Sequence, residues 1–177
     1  MRGNCFDASA LIKRYVEEEG SDIVRKYWAR EVIKFTTSLC FYETLSALKV
    51  NFFYRKKLNQ DDYKKANLDL CSWYATTLKE HPEPQFLSPN VFFDAQKMAD
   101  KYQFDLSDAF QIVSVREGFN ARMWWGDSRR ILVTADTKLA KAARAESLLV
   151  WRSLRNRPPL TVDSKACQLT AAISCFG

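Results

Sequence analysis

The chain has 177 residues, 47% hydrophobic and 27% charged, enough for one domain whose core needs no disulfide or metal staple. Its formal charge of +6, from 27 Lys and Arg against 21 Asp and Glu, favours polyanionic partners, nucleic acid first. Scarce glycine and proline, at 5 each, argue against long disordered linkers. Apolar runs far below the ~20 residues of a membrane span argue against a membrane protein. The start MRGNCFDAS lacks a secretory signal's apolar core, so a cytoplasmic location is expected.

Residues 3 to 6 form a short apolar lead into Asp7. From Ser9 to Val16, Leu11, Ile12, Tyr15 and Val16 recur at helical spacing. A mixed-charge helix is predicted at about residues 21 to 31, and a strand over Ile33 to Thr37, rich in β-branched and aromatic residues. The next helix carries Leu45, Leu48 and Phe52 at the 3.6-residue period. Another, over residues 60 to 80, opens on Asp61 and Asp62, whose charge suits a helix N-terminus. His81-Pro82-Glu83-Pro84 reads as loop, and Phe86-Leu87 as a further strand.

Ser88-Pro89 starts a helix with a capping serine and proline at the first helical position, and Phe92, Ala95, Ala99 and Tyr102 share one face. Ser107 opens a helix over Asp108 to Glu117, which Gly118 closes. Arg130 to Thr134 is the clearest strand, Thr137 to Ala145 a helix and Leu148 to Trp151 a last strand. Short strands alternating with longer helices imply an α/β sandwich, three layers deep, around a mostly parallel sheet of four or five strands. In such sheets the functional crevice lies at the carboxyl ends of the strands.

Five cysteines, at 5, 40, 71, 167 and 175, include no CxxC pair. Reduced thiols are expected, three of them buried. His81 is the only histidine and falls in a loop, so a zinc cluster and a histidine-activated nucleophile are both poor candidates. Carboxylates remain.

Asp7 follows the first strand, Asp136 follows the clearest strand, Glu43 lies in the first turns after the second, and Asp108 starts a helix. A parallel sheet brings Asp7, Glu43 and Asp136 to one edge, where Asp108 can join them. Four converging carboxylates repel one another. A divalent cation resolves the repulsion, and hard oxygen donors favour Mg²⁺ or Mn²⁺. Such a centre generates hydroxide from water and stabilises displacement at phosphorus, which with a basic surface points to a metal-dependent nuclease. Each aspartate alone reads equally as a helix cap. Glu43, flanked by Phe41, Tyr42 and Leu45, is costly to bury unpaired; it either joins the site, faces solvent or pairs with Lys49 or Arg55.

The segments Phe6-Asp7-Ala8-Ser9-Ala10-Leu11-Ile12, Tyr42-Glu43, Leu106-Ser107-Asp108-Ala109-Phe110 and Val133-Thr134-Ala135-Asp136-Thr137-Lys138-Leu139 resemble, in order, the motifs of PIN-domain ribonucleases. The closest subgroup is the VapC-type toxins of toxin–antitoxin pairs. The likeness spans residues 3 to 151, within a nuclease domain expected over 1–155; a tail of unassigned structure, 156–177, follows. It implies that Asp7, Glu43, Asp108 and Asp136 hold one or two Mg²⁺ or Mn²⁺ ions and that the protein cleaves RNA. It further implies a cognate antitoxin and a homodimer.

Ser9 and Thr134 match small hydroxyl positions beside the family's acids and would orient Asp7 and Asp136; otherwise they are a helix cap and a plain strand residue. Asp105 lies three residues before Asp108, and the Asp-Ala-aromatic pattern assigns the metal to Asp108, leaving Asp105 to support the turn. Two features depart from the family: the tail and the 120–130 link, which carries Trp124, Trp125, Arg129 and Arg130. Tryptophans among arginines suit RNA contact, as do Arg55 and Lys56; the alternatives are packed tryptophans and solvated helix ends. A non-cleaving RNA-binding module and a phosphoryl-transfer domain of receiver or phosphatase type are the competing readings. The latter lacks a second aspartate where Ser9 stands and a strand-end lysine.

Overall fold

The computed structural model describes residues 2–80, 89–117 and 129–153. Among these, four strands form one parallel sheet: β1 (Arg2–Phe6), β2 (Ile33–Phe35), β3 (Arg129–Thr134) and β4 (Leu149–Arg152), in the order β2-β1-β3-β4. β1 is central, pairing Cys5 with Phe35 on one side and with Leu132 on the other. The chain therefore leaves β1 first towards β2 and later returns on the opposite side with β3, which creates a switch point between the ends of β1 and β3.

Side chains alternate across the sheet as the two-residue period of a strand demands. Phe6, Ile131, Val133 and Trp151 face one layer, and Cys5, Phe35 and Leu132 face the other. The first layer holds α1 (Ala8–Leu11), a 3₁₀ turn (Ile12–Arg14), α2 (Ser21–Trp28), α3 (Ser38–Phe53) and α4 (Gln60–Glu80). The second holds α5 (Pro89–Tyr102), α6 (Leu106–Glu117) and α7 (Thr137–Ala145). This is the three-layer α/β/α sandwich the alternation of elements implies, with its sheet wholly parallel.

Several boundaries differ from the sequence expectation for local reasons. The helix expected over residues 9–16 is the short α1 followed by the 3₁₀ turn. Beyond it the Arg14 carbonyl accepts from Arg25 Nε at 3.1 Å and the Val16 carbonyl from Ser21 Oγ at 2.9 Å, so those groups need no further helical turn. Gly20, with φ of 85°, supplies the left-handed residue that lets α2 start at Ser21. The second strand stops at Phe35 because Thr36 donates to the Phe6 carbonyl at 2.6 Å and Thr37 caps α3.

Helix α5 buries Ala95, Met98 and Ala99, whereas Phe92, expected on that face, lies in the first turn and is 52% exposed against Phe93. Angle alone does not bury a residue that precedes the packed turns. Cys5 and Cys40 are buried and Cys71 is exposed, all three as free thiols. Residues 86–87, His81, Cys167, Cys175 and the tail lie outside the described residues. No helix among the described residues is long and apolar enough to cross a membrane.

Candidate metal centre

All four acids named from the sequence meet at the carboxyl edge of the sheet. Asp7 follows β1 directly, Asp136 stands two residues past β3, Glu43 sits in the second turn of α3 and Asp108 in the first turn of α6. The charges of Asp7, Asp136, Glu43 and Asp105 all act on Asp108. Burial, first, and then those like charges push its carboxyl up to about 7 from an ordinary 3.8.

Asp7 is the buried centre of the group, only 4% exposed. Its Oδ2 accepts from the Ser9 hydroxyl, from the Ser9 backbone N–H at 3.2 Å and from Thr134 Oγ1 at 2.9 Å. Its Oδ1 accepts from the Cys40 thiol at 3.5 Å. The amide bond from Ser9 also makes Asp7 the N-cap of α1. Asp136 caps α7 in the same way, its Oδ1 accepting from the Leu139 N–H at 2.8 Å. Cap and site residue are thus one arrangement: the strand-to-helix turn fixes the carboxylate and leaves its second oxygen free of that bond.

The hydroxyls stitch these turns together. Ser9 Oγ lies 3.2 Å from Thr134 Oγ1 and accepts from the Ala135 N–H at 2.9 Å. Ser9 is therefore not the helix cap, and Thr134, fully buried, is more than a strand residue. Asp105 stands immediately before α6, and its carbonyl accepts the Ala109 N–H at 3.1 Å, the first helical bond. Glu43 is exposed and forms no ion pair with Lys49 or Arg55.

Two participants escaped the sequence reading. Cys40 lies one turn before Glu43, its thiol 3.7 Å from Glu43 Oε2 as well as 3.5 Å from Asp7 Oδ1. Burial, and then the charges of Asp7 and Glu43, push this thiol well up, so it stays protonated and donates. Gln111, one turn after Asp108 and fully buried, donates to Thr37 Oγ1 at 3.0 Å and to Cys40 Sγ, and accepts from the Cys5 thiol at 3.6 Å. The available signal was spacing: each stands three residues from an acid on the same helix.

Ligand-capable atoms of Asp7, Cys40 and Glu43 lie within 4.8 Å of one another. Among the described residues no Lys or Arg pairs with Asp7, Glu43, Asp108 or Asp136. Uncompensated carboxylates, one of them buried, are a donor set that fits a divalent cation of hard character.

The basic residues fall elsewhere. Arg129 and Arg130 begin β3 at the amino edge of the sheet, five residues before Thr134 in the case of Arg129, or roughly 16 Å along the strand. The Arg130 guanidinium donates to the Val115 and Arg116 carbonyls and so ties down the last turn of α6. Arg55 and Lys56 are exposed beyond the end of α3, where Lys56 takes a left-handed φ of 54° and the Lys57 N–H closes onto the Asn51 carbonyl at 2.9 Å. The structure does not bring these cations to the acids. Trp124 lies outside the described residues.

Neither a scan against protein-family models nor a search of curated proteins finds a match to this chain.

Proposed function

We propose that the protein is a metal-dependent endoribonuclease of the PIN-domain kind, acting as the toxin of a toxin–antitoxin pair. The observation that carries the reading is the meeting of Asp7, Glu43, Asp108 and Asp136 at the switch point of a parallel sheet with no cation to balance them. The ordered resemblance of the four segments to PIN-domain motifs supports the same reaction. Asp7, Glu43, Asp108 and Asp136 would hold Mg²⁺ or Mn²⁺. When bound, such an ion supplies a water acidic enough to yield hydroxide and stabilises negative charge on a phosphodiester.

The rest falls to the protein. Ser9 and Thr134 hold Asp7 Oδ2 by hydrogen bonds and so fix the direction of Oδ1. The helix-capping bond from Leu139 fixes Asp136. Asp108 carries a proton near neutral pH and must release it before the four acids can hold a cation. The exposed edge at Glu43 and Tyr42, the latter 64% exposed, leaves the acids open to a polymer that need not enter a pocket. The cognate antitoxin and the homodimer belong to the same proposal and rest on the resemblance.

The test is purified protein incubated with RNA and Mn²⁺, beside the Asp7→Asn variant and a chelator control. Cleavage by the parent that both controls abolish is the expected result. RNA bound but left intact by folded parent would make the protein a binding module instead. Growth arrest on expression, relieved by a gene lying beside it, tests the toxin assignment separately.

A further inference from the structure

We propose that Gln111 is a positioning residue for the metal centre, holding the Cys40 thiol against the carboxylates of Asp7 and Glu43. The inference rests on the metal-centre reading above and adds a residue that neither the spacing of acids nor the family motifs single out.

A fully buried glutamine is an expensive choice for a helix face that otherwise packs Ile112, Val113 and Val115, because its amide must be hydrogen-bonded wherever water is absent. Gln111 meets that demand entirely with groups beneath the acids. Its Nε2 donates to Thr37 Oγ1 at 3.0 Å and to Cys40 Sγ, and its Oε1 accepts from the Cys5 thiol at 3.6 Å. Each partner belongs to an element that bears an acid: Thr37 and Cys40 to the start of α3 with Glu43, and Cys5 to β1 two residues before Asp7. Gln111 itself shares α6 with Asp108.

The consequence lies at Cys40. With its sulfur occupied as an acceptor from Gln111, the S–H is turned the other way, and the acceptors there are Asp7 Oδ1 at 3.5 Å and Glu43 Oε2 at 3.7 Å. One proton lies between two like charges, so it draws the two carboxylates together without cancelling either. One amide therefore sets the spacing of β1, α3 and α6 where they present Asp7, Glu43 and Asp108. Thr134 ties in the fourth acid through its bonds to Asp7 and to the Asp136 N–H.

The test compares the intact parent with Gln111→Met, which keeps the bulk and removes the amide. Mn²⁺ affinity, thermal unfolding in chelator, and kcat and KM on RNA are measured together. The expected result is a roughly tenfold loss of Mn²⁺ affinity, the scale seen when groups orienting metal ligands are removed, with kcat lowered and KM unchanged. Cys40→Ala should weaken Mn²⁺ binding in the same direction, and Cys40→Ser, which restores a donor, should recover it. That pair decides the matter if Gln111→Met does not fold. Mn²⁺ affinities within about twofold of the parent, whatever happens to the melting temperature, overturn the proposal and leave Gln111 a purely structural cross-link. A parent that binds Mn²⁺ yet leaves RNA intact removes the nuclease reading alone, while a parent that takes up no Mn²⁺ removes both.

Discussion

Thr134 Oγ1 donates to Asp7 Oδ2 at 2.9 Å while accepting the Asp136 N–H at 2.9 Å, so one buried hydroxyl joins the carboxylate after β1 to the turn after β3. Thr134→Val keeps the shape and removes both bonds. It should cost about 1–3 kcal/mol, the range for leaving buried polar partners unmet, as read by urea unfolding, and should lower RNA cleavage. Thr134→Ser should restore most of both. A Val variant as stable and active as the parent would show that the hydroxyl is idle.

Replacing Asp136 with Asn separates its two roles. Asparagine caps helices about as well as aspartate, so folding should be little changed. Metal-dependent cleavage should fall below detection. If the Asn variant cleaved RNA as fast as the parent, Asp136 would be a cap and nothing more.

The pH dependence of the metal-free protein follows from Asp108. Its folded carboxyl titrates at about 7 against 3.8 in the ordinary state, raised by burial and then by Asp7, Asp136 and Glu43. The folded state thus binds this proton more tightly than the unfolded chain does. The resulting stability is complete below pH 3.8 and is lost as pH rises through about 7. In chelator, Asp108→Asn should therefore lose less stability than the parent between pH 5 and pH 8, roughly one unit either side of that titration. Parallel losses in the two proteins, by urea unfolding, would remove this account.

Arg130 is expected to matter for folding and not for RNA. Its guanidinium holds two carbonyls at the end of α6, at the sheet edge away from the acids. Arg130→Gln should cost about 1–2 kcal/mol while leaving the KM for RNA unchanged. A raised KM with undiminished stability would return it to the substrate surface.

Much of this was legible because strand ends and helix starts announce themselves. Asp7 and Asp136 each follow a β-type run and precede a helical one, and both the cap and the convergence follow from that single pattern. Glu43 was harder: its aromatic neighbours suggested a cost of burial, yet Phe41 turns inward while Tyr42 and Glu43 face out, a distinction set by helix phase. Phe92 failed because periodicity reports angle and not how far the neighbouring layer reaches. Cys40 and Gln111 were invisible as site residues, since a cysteine or glutamine among apolar neighbours reads as packing until a partner arrives from distant sequence. Gln111 meets Thr37 and Cys40 across 74 and 71 residues.

The contrast between Cys40 and Cys71 gives the protein a built-in reporter. Thiol-modifying reagents attack the exposed thiolate, and Cys40 is buried and held protonated whereas Cys71 lies at the surface. Among the described cysteines, then, alkylation marks Cys71 from the folded state and reaches Cys40 only when the floor beneath the acids opens. The rate at which Cys40 becomes labelled times that opening directly, with no substrate and no cation present.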